Sequence, residues 1–117
     1  MTQEEKQLIL VDLCGRLPYG VKVQTTFINQ KTKKRSDIGV DVVTHTEISL
    51  LIDGFEEHKP YLFPMSSMTD SQKTEWDYID YYADHHEAVD WLNAHHFDYR
   101  GLIEKGLAID ATGLNIY

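Results

Sequence analysis

From Glu4 to Leu17 the chain reads EEKQLILVDLCGRL, and its apolar positions recur at helical spacing: Leu10, Leu13, Cys14 and Leu17 share a face that Leu8 and Val11 widen. Thr2 and Glu5 stand at capping-box spacing, and Gly15 followed by Leu17-Pro18 supplies a stop. The period then changes to two. Tyr19, Val21, Val23, Thr25 and Phe27 alternate with Gly20, Lys22, Gln24 and Thr26, as in a half-buried strand. After the basic loop KTKKR (Lys31 to Arg35), Ile38–Val43 and Glu47–Ile52 read as one bent strand or two short ones. In the second of these, Ile48, Leu50 and Ile52 alternate with Glu47, Ser49 and Leu51. Asp53-Gly54 has hairpin-turn chemistry, and Phe55–His58 follows as a short edge strand.

Lys59 to Pro64, KPYLFP, reads as a packed extended connection, because each proline restricts its predecessor and removes a donor. A helix is predicted from Thr69, with Gln72 completing a capping box and Asp70 at the positive helix end. Gln72, Trp76 and Ile79 share one side of it, and Tyr78, Tyr81 and Tyr82 form a second, aromatic one. A further helix over Glu87–His96 and a short one over Leu102–Ala108 complete the order, before a tail, DATGLNIY, whose apolar end is expected to dock on the body. No repeat or low-complexity tract interrupts the 117 residues. The economical architecture over residues 1–117 is a single α+β domain: an amino-terminal helix on a small antiparallel sheet of three to four strands, then two to three helices.

Composition narrows the functional classes. Apolar residues at 42% and charged residues at 26% belong to a globular chain, and the longest aliphatic run, Leu8–Val11, is too short for a membrane span or a signal peptide. A cytoplasmic location follows as the expectation. Cys14 is the one cysteine, which excludes an intrachain disulfide and multi-cysteine metal sites; among leucines it reads as an inert buried thiol. The net charge of −8 is concentrated between Thr69 and Asp98, where eight carboxylates face Lys73 alone. Such a surface repels phosphate backbones, so no direct nucleic-acid binding is expected. KTKKR reads as a solvated turn, with contact to a phosphate or an acidic partner as the other reading.

The stretch HHEAVDWLNAHHFDYRG, His85 to Gly101, concentrates imidazoles and carboxylates, the ligand types of a divalent metal. On a helix, His86 and Asp90 sit one turn apart and form the candidate ligand pair, with Asp41, His45 or His58 as a third ligand. His95 and His96 lie about 16 Å along the helix from His85, too far to share its ion. Neither HExxH nor its inverse occurs. The competing reading makes Trp91, Leu92 and His95 a packing face and leaves His86 and Asp90 wet. No nucleophile elbow, phosphate loop or dinucleotide fingerprint is present, and the carboxylate pairs Asp77/Asp80 and Asp80/Asp84 read as solvated charge. No catalytic residue or cofactor is assigned on these grounds.

Two blocks, KPYLFPMSSMT (residues 59–69) and DWLNAHHFDYRGLIEKGLA (residues 90–108), resemble a group of short uncharacterised proteins encoded by gut Bacteroidetes and their phages or mobile elements. The resemblance covers most of the chain, least well between Thr25 and Phe55, and implies a bacterial cytoplasmic or phage-linked setting without an activity or a site residue. The reading that leads is a small non-enzymatic protein that binds another protein, with a homodimer as one form of that partnership. Tyr61, Met68, Tyr78, Tyr81 and Tyr82 form its expected surface, beside Phe63 and Met65. The same loop side chains also suit the closing of the domain's own core. A divalent-metal hydrolase built on His85–Asp98, and an acidic nucleic-acid mimic that occupies a basic protein, are the alternatives.

Overall fold

Thr2 opens the first helix, α1 (Gln3–Arg16), with the capping box that its spacing predicts: Thr2 Oγ1 accepts from the Glu5 amide at 3.1 Å, and the Thr2 amide donates to Glu5 Oε1 at 2.8 Å. The computed structural model describes residues 2–117. The buried face of α1 is Ile9, Asp12, Leu13 and Arg16, one residue back from the predicted stripe, which amounts to a rotation of about 100°. Cys14 is consequently exposed, not buried as expected. The turn is made because Asp12 and Arg16, spaced i,i+4, neutralise each other inside the protein at 2.9 Å.

A turn of 3-10 helix at Leu17–Tyr19 leads into β1 (Lys22–Ile28). Val21, Val23 and Thr25 point into the core as the alternation predicts, while Phe27 emerges at the far end, 41% exposed. KTKKR closes a hairpin, with Asn29 Oδ1 accepting from the Lys31 and Thr32 amides at 2.9 and 3.0 Å. β2 (Arg35–Val42) returns antiparallel along β1, with a register shift opposite Thr25/Thr26, and every one of its residues is exposed.

The chain does not then continue as a strand. Residues His45–Ile52 form a helix, α2, in place of the expected strand over Glu47–Ile52, whether the end of one bent strand or a second short one. Thr44 and Glu47 build a reciprocal capping box, Thr44 Oγ1 accepting from the Thr46 amide at 3.2 Å and Glu47 Oε1 accepting from the Thr44 amide at 3.1 Å. Asp53-Gly54 is the end of this helix and not a hairpin turn.

β3 (Glu56–Pro64) joins the expected edge strand to the expected connection, and it is central. Its first half, Glu56–Pro60, pairs antiparallel with β1; its second half pairs in parallel with β5 (Ile109–Asp110) at Tyr61–Leu62 and with β4 (Phe97–Asp98) at Phe63–Pro64. The prolines sit at the joints. Pro60 is the last rung on β1 and Pro64 the last on β4, positions where a missing donor costs the ladder least. The five-stranded sheet is therefore mixed, in the order β2-β1-β3-β4, with β5 also on β3.

Thr69 caps α3 (Asp70–Tyr82) through the expected box with Gln72, and Asp84 caps α4 (His85–Ala94) by accepting from the Glu87 amide at 2.8 Å. The predicted helix over Leu102–Ala108 is a series of turns. Both oxygens of Asp98 accept amides, from Leu102 at 3.0 Å and Ile103 at 2.9 Å, but the segment reverses at Gly106, whose φ of +73° breaks the helical path. The reversal folds Leu102, Leu107 and Ala108 back onto the core formed by Ile9, Leu13, Val21, Val23, Val43, Leu51 and Leu62. The tail docks as expected. Tyr117 Oη donates to the Tyr61 carbonyl and accepts from the Lys22 amide, each at 2.8 Å. Among the described residues no helix is long and apolar enough to cross a membrane.

Candidate functional site

The histidine-rich stretch splits into a wet half and a packed half. His86 stands 87% exposed with Nε2 3.4 Å from Asp90 Oδ2. The pair is present at the predicted spacing. The pKa of the nearby Tyr19 hydroxyl rises through burial and through the Asp90 carboxylate. The proposed third ligands are committed elsewhere or remote: Asp41 accepts from Thr25 Oγ1 at 2.9 Å, His58 is buried against Glu56 at 3.0 Å, and His45 is exposed in the first turn of α2. Among the described residues no group of three or more His, Cys, Asp or Glu side chains is placed to hold a metal ion.

In the packed half, Trp91 carries the aromatic stack. His95 lies on its ring at 4.2 Å, Phe97 at 5.8 Å and Trp76 of α3 at 5.6 Å, and its indole Nε1 donates to Glu75 at 2.8 Å. His95 Nδ1 lies 2.9 Å from the Trp91 carbonyl. His96 takes a positive φ of 61°, a conformation histidine tolerates better than most residues, and stacks on Tyr117 at 3.7 Å.

Behind this stretch lies a polar cluster that no sequence pattern announced. The Asp12 carboxylate, with no exposed surface, accepts from Arg16 Nε at 2.9 Å and from Arg100 Nε at 3.1 Å. Arg16 Nη2 donates to the Phe97 carbonyl at 2.6 Å, tying α1 to β4. Both guanidiniums lie over the ring of Tyr99, at 5.2 and 4.9 Å, and Tyr99 Oη donates to Asn93 Oδ1 at 2.8 Å. The one visible signal was the i,i+4 spacing of Asp12 and Arg16, which suits a solvated helix face equally well. Burial raises the pKa of Asp12 while Arg16 and Arg100 hold it back, and burial pushes Tyr117 up to about 12.

His96 belongs to the same neighbourhood. Burial, seconded by the nearby Arg16, His95 and Lys22, lowers its pKa from 6.5 to about 4. A base lowered in the folded state takes up its proton first in the unfolded chain, so stability is complete above about pH 6.5, declines towards pH 4 and levels off below it. At about 1.4 kcal/mol per unit, and with the partly open ring edge screened by solvent, the loss is about 2–3 kcal/mol. Asp12, with its raised pKa, works in the opposite sense at the acid end of that window. Urea titrations between pH 7 and 4 are expected to show this slope in the parent and not in His96→Asn, which keeps a side chain suited to positive φ; equal slopes would remove His96 as its source.

The aromatic surface foreseen on α3 is present, without Tyr61. Tyr78, Tyr81 and Tyr82 are 65%, 80% and 69% exposed, and their rings pack on one another at 4.8 Å (Tyr78–Tyr82) and 4.7 Å (Tyr81–Tyr82). Asp77, Asp80 and Asp84 are exposed alongside. No residue of α3 is buried; the helix is moored by Trp76 on Trp91 and by Glu75 on the indole. Tyr61 is 7% exposed under the tail, because the strand carries on through Pro60 and pairs with β5, so it leaves the expected surface for the core. Phe63, Met65 and Met68 are half-buried, with Phe63 against Phe97 and Tyr117. Compared with known protein families, with curated proteins and with solved structures, the chain matches none.

Proposed function

We propose that this chain is a small non-enzymatic protein that binds another protein through the tyrosine cluster of α3, acting in a bacterial cytoplasmic setting of the kind its resemblance implies. One observation carries the reading: three tyrosines, Tyr82 packed against both Tyr78 and Tyr81, stand open to solvent on a helix that buries none of its residues. Large aromatic rings cost little conformational entropy to immobilise and bring much area to a contact, which is why tyrosine is enriched at the centres of interfaces. Clustered apolar surface on a protein is most simply understood as a contact site. The helix contributes little to the core, so its outward residues are open to use in recognition.

A photoreactive p-benzoylphenylalanine at position 81, compared with one at the exposed position 11 on α1, tests this in cells that make the protein. A discrete adduct is expected from position 81, lost when Tyr78→Ser and Tyr82→Ser are added, with no counterpart from position 11. The same adducts from both positions, or none from 81, would remove the tyrosine cluster as the contact.

A further inference from the structure

Resting on that reading, we infer that the partner meets the α3 surface with arginine side chains, presented by a segment that carries several of them. Two arrays run side by side there. Tyr78, Tyr81 and Tyr82 form one at helical spacing; Asp77 and Asp80 form the other, each one residue before a tyrosine and so about 100° round the axis. Ring faces carry negative potential and the carboxylates full charge, so both arrays attract the same cation. The only positive side chain between Thr69 and Asp98, Lys73, bonds Asp77 at 2.8 Å in a pair more than half exposed on both sides, an arrangement that a competing cation displaces at little cost. Asp80 enters no ion pair among the described residues.

Ring geometry selects guanidinium over ammonium. With the Tyr82 ring centroid 4.8 Å from that of Tyr78 and 4.7 Å from that of Tyr81, the rings lie against one another and leave no cage that would enclose a compact ammonium. What they offer is outward-facing ring surface, on which a planar, weakly hydrated guanidinium lies flat while its edge donors reach a neighbouring carboxylate. The chain already uses this chemistry in its interior. Arg16 and Arg100 lie over Tyr99 while bonding Asp12, a tyrosine ring and a carboxylate serving the same guanidiniums. The surrounding excess of carboxylates steers such a segment towards the surface at a distance, in a salt-dependent manner.

The test uses the full chain labelled with nitrogen-15 and three twelve-residue peptides of alternating arginine-glycine, lysine-glycine and glutamate-glycine, followed by amide chemical shifts. The expected result is shifts confined to residues 73–87, an arginine peptide that binds about fivefold or more tighter than the lysine peptide, and no binding of the glutamate peptide. The combined change Tyr78→Ser, Tyr81→Ser, Tyr82→Ser leaves the charge intact and is expected to weaken the arginine peptide about tenfold. Asp77→Asn with Asp80→Asn is expected to do the same and to flatten the salt dependence. Equal affinity for arginine and lysine, shifts scattered over the acidic surface, or a tyrosine-free variant that binds as well as the parent would each overturn the inference. A discrete adduct from position 81 without arginine preference overturns this inference and leaves the binding surface standing; absence of both overturns the two together.

Discussion

Asp12→Ala is expected to lower the unfolding free energy by about 3–5 kcal/mol, because it strands a fully buried guanidinium and takes the partner from a second, partly exposed one. Arg16 would retain only its bond to the Phe97 carbonyl, with Nη1 already lacking a partner in the interior. Arg100, 29% exposed, can turn towards water, but Arg16 has no such exit. The diagnostic experiment is a cycle. Arg16→Met alone leaves a buried carboxylate served by one cation and is expected to cost nearly as much, whereas Asp12→Ala combined with Arg16→Met removes both charges and is expected to cost less than the two singles together by more than about 1 kcal/mol. Urea midpoints at neutral pH measure all three. Additive losses would show that the two side chains do not act as a pair.

Trp91→Ala is expected to cost about 3 kcal/mol and to free α3, since the same indole stacks on Trp76, His95 and Phe97 and holds Glu75. Limited proteolysis between residues 68 and 83 should accelerate in the variant, while the circular dichroism of the remaining elements is kept. His86→Ala, by contrast, is expected to change stability by less than about 0.5 kcal/mol, because its contact with Asp90 is long and solvated. Comparable losses from the two substitutions would mean that His86 has a structural duty beyond its contact with Asp90.

The legibility of the chain followed how exclusive each local signal was. Thr2/Glu5 and Thr69/Gln72 precede long stretches with an unambiguous period, and both helices start where these pairs say. Thr44/Glu47 has the same chemistry, yet the run it opens is only eight residues, and Ile48, Leu50 and Ile52 satisfy a strand as well as Ile48, Leu51 and Ile52 satisfy a helix. The cap decides between them. Pro60 and Pro64 obscured β3 because proline argues against a central strand, except at the rungs where the pairing partner changes. The inward turn of α1 was hidden for a different reason: charged side chains are assigned to water unless a partner is known, and the second cation on Asp12, Arg100, comes from 88 residues away. On the binding side, Tyr78, Tyr81 and Tyr82 were legible from spacing alone, whereas the fate of Tyr61 depended on a tail that reaches it from the other end of the chain.

The pairing of Phe63 with Phe97 and of Pro64 with Asp98 makes everything between them a closed excursion from the sheet. Its two ends are fixed neighbours, so a change in its length costs little in the entropy of closing a loop, which rises only by about 0.6 kcal/mol for each doubling. Of the two helices on that excursion, α4 contributes Leu92 and Asn93 to the interior and α3 contributes nothing buried. The outer helix can accordingly be lengthened, shortened or rewritten over evolutionary time with the sheet left undisturbed. A scaffold arranged in this way separates what must be inherited from what can be exchanged, and permits one part of a protein to follow a changing counterpart while the rest stays as it is.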